Sequence, residues 1–278
     1  MRLLTPLYYL LSLAAAVMLL LSATLVSDGE RAISRLETPE EKTDTLVKDW
    51  MQTLSLGLYT GASDKAKARA LLERSAGYHR GRVNLAAAAI AALSALLLGA
   101  LAWRVHRRDA HALRRLVLHL HGVAAVCLLV GLAAPMLTVL AQREVALLGN
   151  VVLQFETKSI LSMVRDLFAG GSVFLACLLA LFSVIIPVSK LLVTVLALLS
   201  PHGALRNACV HFVRAVGKWS MTDVFVVAVL LAFLAGGQGG FTDARLGPGL
   251  YFFACYGLLS LLGGSVLARV IGAPHRAA

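Results

Sequence analysis

Apolar runs too long for a water-soluble core recur along this chain, and they dictate where most of it must go. Six such runs are present, at Met1 to Val26, Val83 to Trp103, Leu116 to Ala141, Val173 to Leu199, Trp219 to Ala235 and Gly249 to Ile271. A bilayer core about 30 Å thick takes about 20 residues of helix, and every run but the fifth supplies them. With 59% of residues apolar and only 15% charged, the chain has too little polar surface to enclose such runs in water. The expected fold class is all-α, a polytopic membrane protein of about six transmembrane helices with a small helical insert outside the membrane.

The formal net charge of +11 would suggest nucleic-acid binding in a soluble protein. Here the arginines bracket apolar runs instead, which is the pattern of cytoplasmic loops, and no nucleic-acid partner is expected. Arg104, Arg107, Arg108, Arg114 and Arg115 crowd one short loop, and Arg206, Arg214 and Lys218 mark a second. Both loops are placed in the cytoplasm, together with both termini, which Arg269 and Arg276 support at the C-terminal end. Arg80 and Arg82, just outside the second span, pull the other way but are outnumbered by the cluster at its far end.

In chain order, residues 1–27 read as an uncleaved signal anchor, since the apolar run exceeds a signal peptide's usual core and no small-residue cleavage site follows. Residues 28–82 form a polar, periplasmic helical lobe. Thr38, Pro39 and Glu41 make a capping box, after which Leu46, Val47, Trp50, Met51 and Leu54 share a helical face. A second helix opens at Ser63 and Asp64 and is expected to end at Gly77. So small a lobe either docks its Trp50 face on the membrane or a partner, or merely spaces two spans. Residues 83–115 supply the second span and the basic loop. The third span, Leu116 to Ala141, carries Pro135 late in its length.

Beyond it, Leu153, Phe155 and Thr157 alternate with Gln154 and Glu156 as in a short strand. Ser159 to Phe168 then places Ile160, Leu161, Val164, Leu167 and Phe168 on one face of an interfacial helix, either a re-entry segment or a lipid gate. The fourth span contains Pro187, expected to kink it just before Lys190, and Ser183 lies seven residues before Lys190 on the same face.

Lys190 and Asp223 are the charges inside hydrocarbon. An ionised group there costs on the order of 3 kcal/mol or more, so each is read as functional with the other as its partner. Ser220 and Asp223 also form an S-x-x-D box at the start of the fifth span, which leaves about fifteen residues, roughly 22 Å, to Ala235. That brings a capped helix start, a serine and an ammonium to membrane depth, with Ser183, Lys190, Ser220 and Asp223 as an intramembrane polar network. A structural ion pair, a network needed for transport, and a Lys190 that snorkels to the interface all fit these residues.

The segments FSVIIPVSKLL and KWSMTDVFVVAVLL, preceded by ETKSILSMVRDLF and followed by GLYFF, resemble the paraquat-inducible protein A family of bacterial inner-membrane proteins. The resemblance covers roughly residues 116–271, which would form a four-helix membrane module. It implies a membrane subunit that works with a periplasmic MCE-domain protein, moving phospholipid between the inner membrane and that partner to maintain the envelope. Relatives carry cytoplasmic CxxC pairs, which this chain lacks, so a metal-bound accessory module is not expected.

The residues themselves give no sign of covalent chemistry. No P-loop, no nucleophile with a base and no paired catalytic acids occur, so no catalytic residue, cofactor or metal is expected. Cys127, Cys177, Cys209 and Cys255 are widely separated in sequence, unlike a disulfide framework or zinc ribbon. His119 and His121 lack the spacing of two ligands on one helical face. The rival functions are an ion-coupled small-solute transporter, with Lys190 and Asp223 as the proton relay, and a membrane scaffold without a substrate.

Overall fold

The computed structural model describes residues 4–54, 61–106, 112–145, 149–199, 208, 209, 211, 212, 215 and 242–272. Helices dominate. They are α1 (Leu4–Leu36), α2 (Pro39–Leu54), α3 (Gly61–His106), α4 (Ala112–Ala133), α5 (Ile160–Ala169), α6 (Val173–Ala180), α7 (Ile186–Leu199) and α8 (Pro248–Gly272). Strands β1 (Leu137–Val145), β2 (Gly149–Lys158) and β3 (Thr242–Leu246) form one antiparallel sheet in the order β2-β1-β3.

Five helical stretches among the described residues are long and apolar enough to cross a membrane: Thr5–Leu36, Lys65–His106, Leu113–Ala133, Val173–Leu199 and Pro248–Leu267. The chain is therefore an all-α polytopic membrane protein carrying a small extramembrane sheet. The expected fifth span, from Trp219, lies outside the described residues.

α1 and α3 pair along much of their length because small residues line their contact. Ala16, Leu19 and Ala23 of α1 meet Val83, Ala86 and Ile90 of α3, with Val130 and Ala134 of α4 closing the cluster. Within the membrane, Tyr8 and Ser94 share a buried 3.0 Å hydrogen bond. Outside it, Arg80 is paired with Glu30, and Gly29 comes close enough that its Cβ would touch Ala76 at 3.6 Å.

These contacts explain two departures from expectation. α1 does not stop near Ser27 but continues to Leu36, because its polar end has α3 to pack on. α3 does not stop at Gly77 either. A Cβ at Gly77 or Gly81 would meet nothing within 4 Å, and each glycine costs about 1 kcal/mol of helix propensity, which packing on α1 offsets. At about 1.5 Å per residue its 46 residues run roughly 69 Å, more than twice a bilayer core, so α3 carries the outer lobe into the membrane without interruption.

α2 lies against α3 through ion pairs. Lys65 Nζ is 2.5 Å from Glu41 Oε2 and 2.8 Å from Asp44 Oδ2, and Arg69 reaches Glu37, in the turn before α2, at 2.7 Å. Pro39 begins α2 as expected. The Thr38 hydroxyl, however, donates to Arg35 O at 2.9 Å and so closes α1 rather than capping α2. The apolar face stays uncovered, with Trp50 72% and Leu54 77% exposed. The Val152 N–H donates to Glu37 O at 2.9 Å, which joins the lobe to β2.

The third span ends at Ala133, before Pro135, and the residues expected to continue it turn into β1. Proline lacks the N–H and crowds the preceding turn, so Leu137 to Ala141 leave the helix and pair instead with β2 and β3. Thr242–Leu246 (TDARL) supplies the third strand. Gly247 and Gly249 make this closure possible: they donate to Met136 O and Pro135 O at 2.9 Å each, at positions where a Cβ would stand 2.2 Å from Pro135 O and 2.5 Å from Ala134 O. The expected strand around Leu153 is present and longer than the alternation alone marked.

α5 follows β2 through a serine capping box, in which Ser162 N–H donates to Ser159 Oγ at 3.2 Å and Ser159 N–H to Ser162 Oγ at 2.8 Å. Its apolar face is divided. Ile160 enters the core with Tyr8, Met136 and Phe253, while Leu161 and Phe168 stay exposed.

Candidate functional site: a buried polar cluster between the membrane helices

The fourth span is not a plain α-helix. Between α6 and α7, Leu181–Ile185 form a π turn, with the Ile186 N–H donating to Leu181 O. Pro187 follows at once and has no N–H to offer the preceding turn. A π turn is one way a helix absorbs that defect, and the distortion falls just before Pro187 rather than between Pro187 and Lys190. Nearby carbonyls find side-chain donors: Tyr256 Oη donates to Pro187 O at 3.3 Å, Ser189 Oγ to Ile186 O at 2.9 Å, and Thr194 Oγ1 to Lys190 O at 2.8 Å.

One face of this span is buried and polar. Ser183, Pro187, Lys190 and Thr194 follow one another at helical spacing, and Ser183, Lys190 and Thr194 are at most 2% exposed. The opposite face is apolar and open, with Ile185, Leu192 and Leu196 more than half exposed, as a lipid-facing surface must be. Lys190 and Ser183 therefore point inward together, as their spacing predicts. Ser220 and Asp223 lie outside the described residues. Among the described residues Lys190 has no carboxylate partner.

α4 contributes His121, which is 2% exposed. Its Nδ1 lies 2.9 Å from Val117 O, and since a carbonyl only accepts, Nδ1 carries the hydrogen. The neutral ring then presents Nε2 as an acceptor, and that atom has no partner among the described residues. Lys190 is within electrostatic reach of this imidazole. α8 contributes Ser260, fully buried, whose Oγ is likewise unpartnered among the described residues. Ser260 shares a face of α8 with Tyr256, Gly263 and Leu267, and the His121 ring rests on Gly263.

Arg114 sets the depth of the cluster. Its guanidinium donates to Leu198 O, tying the basic end of α4 to the end of α7. His121 is seven residues along α4 from that tie and Lys190 eight along α7, roughly 10 and 12 Å, so the two groups lie at nearly one level inside the membrane. Buried donors and acceptors are nearly always satisfied, so the atoms left unpartnered among the described residues are where water, a proton, a polar ligand group or a residue outside the described set fits.

Sequence spacing does not distinguish His121 from His119. The two rings diverge: His119 Nδ1 is 3.0 Å from Tyr9 Oη, toward α1, whereas His121 faces α8. The glycine opposite the ring was the available signal. The cysteines also regroup, because the register that sets Gly131 on Phe253 and His121 on Gly263 brings the free thiols of Cys127 on α4 and Cys255 on α8 to facing positions.

The family model for paraquat-inducible protein A matches residues 124–269, more than half of the chain. This protein belongs to the paraquat-inducible protein A family. The match takes in α5 to α8, Lys190 and Ser260, whereas α1 to α3 and His121 precede it. A relative from Haemophilus influenzae (strain ATCC 51907 / DSM 11121 / KW20 / Rd), described as a probable intermembrane transport protein, is 28% identical over 101 residues. That similarity covers 34% of this chain and 24% of the relative, so the chain matches about a quarter of the relative's length.

Proposed function

We propose that this protein is an inner-membrane subunit of a lipid transport system, moving phospholipid between the inner membrane and a periplasmic MCE-domain partner. The observation that carries the proposal is the buried Lys190, His121 and Ser260 at membrane depth, where among the described residues His121 Nε2 and Ser260 Oγ have no hydrogen-bond partner. Ionisable groups inside a membrane lie by default on substrate or proton paths, and Lys190 is buried on the inward face of its span. Membership of the paraquat-inducible protein A family and the transport description of its relative support the same direction. The sheet and the α2–α3 lobe stand on the periplasmic side, the arginine loop in the cytoplasm. The chain carries out no covalent chemistry and holds no cofactor. Any energy from nucleotide hydrolysis comes from another subunit.

A buried histidine and a buried lysine at one membrane level favour a second role for the same residues, an ion-coupled transporter in which they pass protons. Purification in mild detergent, with identification of both bound lipids and co-purifying proteins, separates the two. Recovery of phospholipid together with an MCE-domain protein supports lipid transport. Proton-gradient-driven uptake of a water-soluble solute into proteoliposomes, with no lipid exchanged, would replace it.

A further inference from the structure

The fold leaves a cavity of about 330 Å³ at the outer ends of four spans. Val26 closes the apolar run of α1, Val83 opens that of α3, Pro135 follows the end of α4 and Pro248 begins α8, and all four line it. It therefore opens at the level where the headgroups of the outer leaflet lie. Its polar lining comes from Glu30, Arg80, Asn84 and Arg245, together with the hydroxyls of Ser27 and Thr138. Arg245 sits opposite Thr138 in the β1–β3 ladder, which sets both on the cavity side of the sheet.

The lining combines two guanidinium groups, one carboxylate and an apolar floor. Guanidinium forks match phosphate oxygens, and a carboxylate matches an ammonium. Arg80 and Glu30 are already paired, which holds both in place, and each keeps unused capacity: the guanidinium has five donors and the carboxylate two oxygens. No aromatic ring is among the described lining residues, so nothing there favours a trimethylated ammonium, which aromatic faces recognise. The volume is at the low end for small-molecule sites, enough for a headgroup and too little for two acyl chains.

We propose that this cavity seats the headgroup of a zwitterionic aminophospholipid, with its phosphodiester on Arg80 and Arg245, its primary ammonium on Glu30, and its acyl chains along the apolar helices below. The site is distinct from the cluster around Lys190, because twelve residues of α4, roughly 18 Å, separate His121 from Ala133. A headgroup held here goes beyond the transport proposal, since it binds whether or not the lipid is moved.

The test is native mass spectrometry of the full chain in detergent micelles, titrated with phosphatidylethanolamine, phosphatidylcholine and phosphatidylglycerol of one chain length. The parent should retain phosphatidylethanolamine about tenfold better than phosphatidylglycerol, the size of effect one charge-assisted hydrogen bond gives. Glu30→Gln should erase that preference, and Arg245→Gln should weaken all three lipids. Because Glu30→Gln also loosens α1 from α3, Asn84→Trp serves as a second variant: it fills the cavity from an exposed position and should abolish retention without lowering the melting temperature. Equal binding of the lipids by the parent, a preference that survives Glu30→Gln, or displacement by inorganic phosphate alone would each overturn the proposal.

Discussion

His121 rests so closely on Gly263 that a Cβ atom there would stand 2.4 Å from the imidazole Cε1. The ring cannot swing away without giving up its hydrogen bond to Val117 O. Gly263→Ala should therefore destabilise the protein by about 1–3 kcal/mol, the usual cost of overpacking. Gly264→Ala, with nothing within 4 Å, should be close to neutral. His121→Ala introduced beside Gly263→Ala should recover part of the loss. Thermal unfolding in detergent measures all three, and equal melting temperatures for the two alanine variants would mean that the helices do not meet as described.

The apolar runs made the spans legible, and helical spacing correctly turned Ser183 and Lys190 to one side, because both depend only on neighbours along the chain. His121 was not legible, since what makes it special is Gly263, on a helix that sequence spacing does not relate to it. β1 was missed because Leu137 to Ala141 are as apolar as the span they follow; Pro135 marked the break, but the apolar pattern outweighed it. The extension of α1 past Ser27 and of α3 through Gly77 likewise rests on each helix having the other to pack against.

If the arginine clusters set the orientation, a reporter enzyme fused after Arg108 or Arg214 should read cytoplasmic. One fused near Glu41 or Gly240 should read periplasmic. A periplasmic signal after Arg108 would invert the whole arrangement, placing the sheet and the headgroup cavity on the wrong side for a periplasmic partner.

The antiparallel register that sets Gly131 against Phe253 and His121 against Gly263 also brings Cys127 beside Cys255. A membrane-permeant copper–phenanthroline oxidant should link these two thiols within one chain, seen as the loss of two maleimide-reactive groups and one cross-linked peptide pair. Cys255→Ser should prevent the link, while Cys177→Ser and Cys209→Ser should leave it unchanged. Cross-linking that persists in Cys255→Ser would mean that α4 faces a different helix.

Lys48 and Lys65, hydrogen-bonded to Asp44, hold its carboxyl below the usual carboxylate range. A depressed folded-state value adds stability above the unfolded value, about 3.9, and loses it as pH falls through the folded value. The α2–α3 contact should thus be unaffected between pH 7 and about pH 5 and loosen in stronger acid. Spin labels at Met51 and Arg74, with the native cysteines replaced by alanine, would report this as a broadened distance distribution. Lys65→Met should broaden it already at neutral pH. A distribution unchanged in both cases would show that the ion pairs do not hold α2 in place.

Lys190 is buried on the inward face of its span, and Asp223 is its expected partner. If the two are paired in a low-dielectric site, removing either leaves an uncompensated charge, at a cost of about 3–5 kcal/mol, and removing both relieves it. Lys190→Ala and Asp223→Ala should each lower membrane abundance and thermal stability, with the double variant recovering in part. The outcome for function then separates the roles. Were the pair only structural, activity would return with stability. If the ammonium and carboxylate lie on the path of a headgroup or proton, the double variant should be abundant and stable yet fail to complement an envelope-sensitivity phenotype in cells lacking the protein. His121→Phe sharpens the distinction, because it keeps a ring against α8 while removing the open Nε2 acceptor, and on the transport proposal it too should be stable and inactive. Three variants of Lys190 and Asp223 as abundant, stable and active as the parent would leave the ammonium with neither role and return Lys190 to a snorkelling side chain.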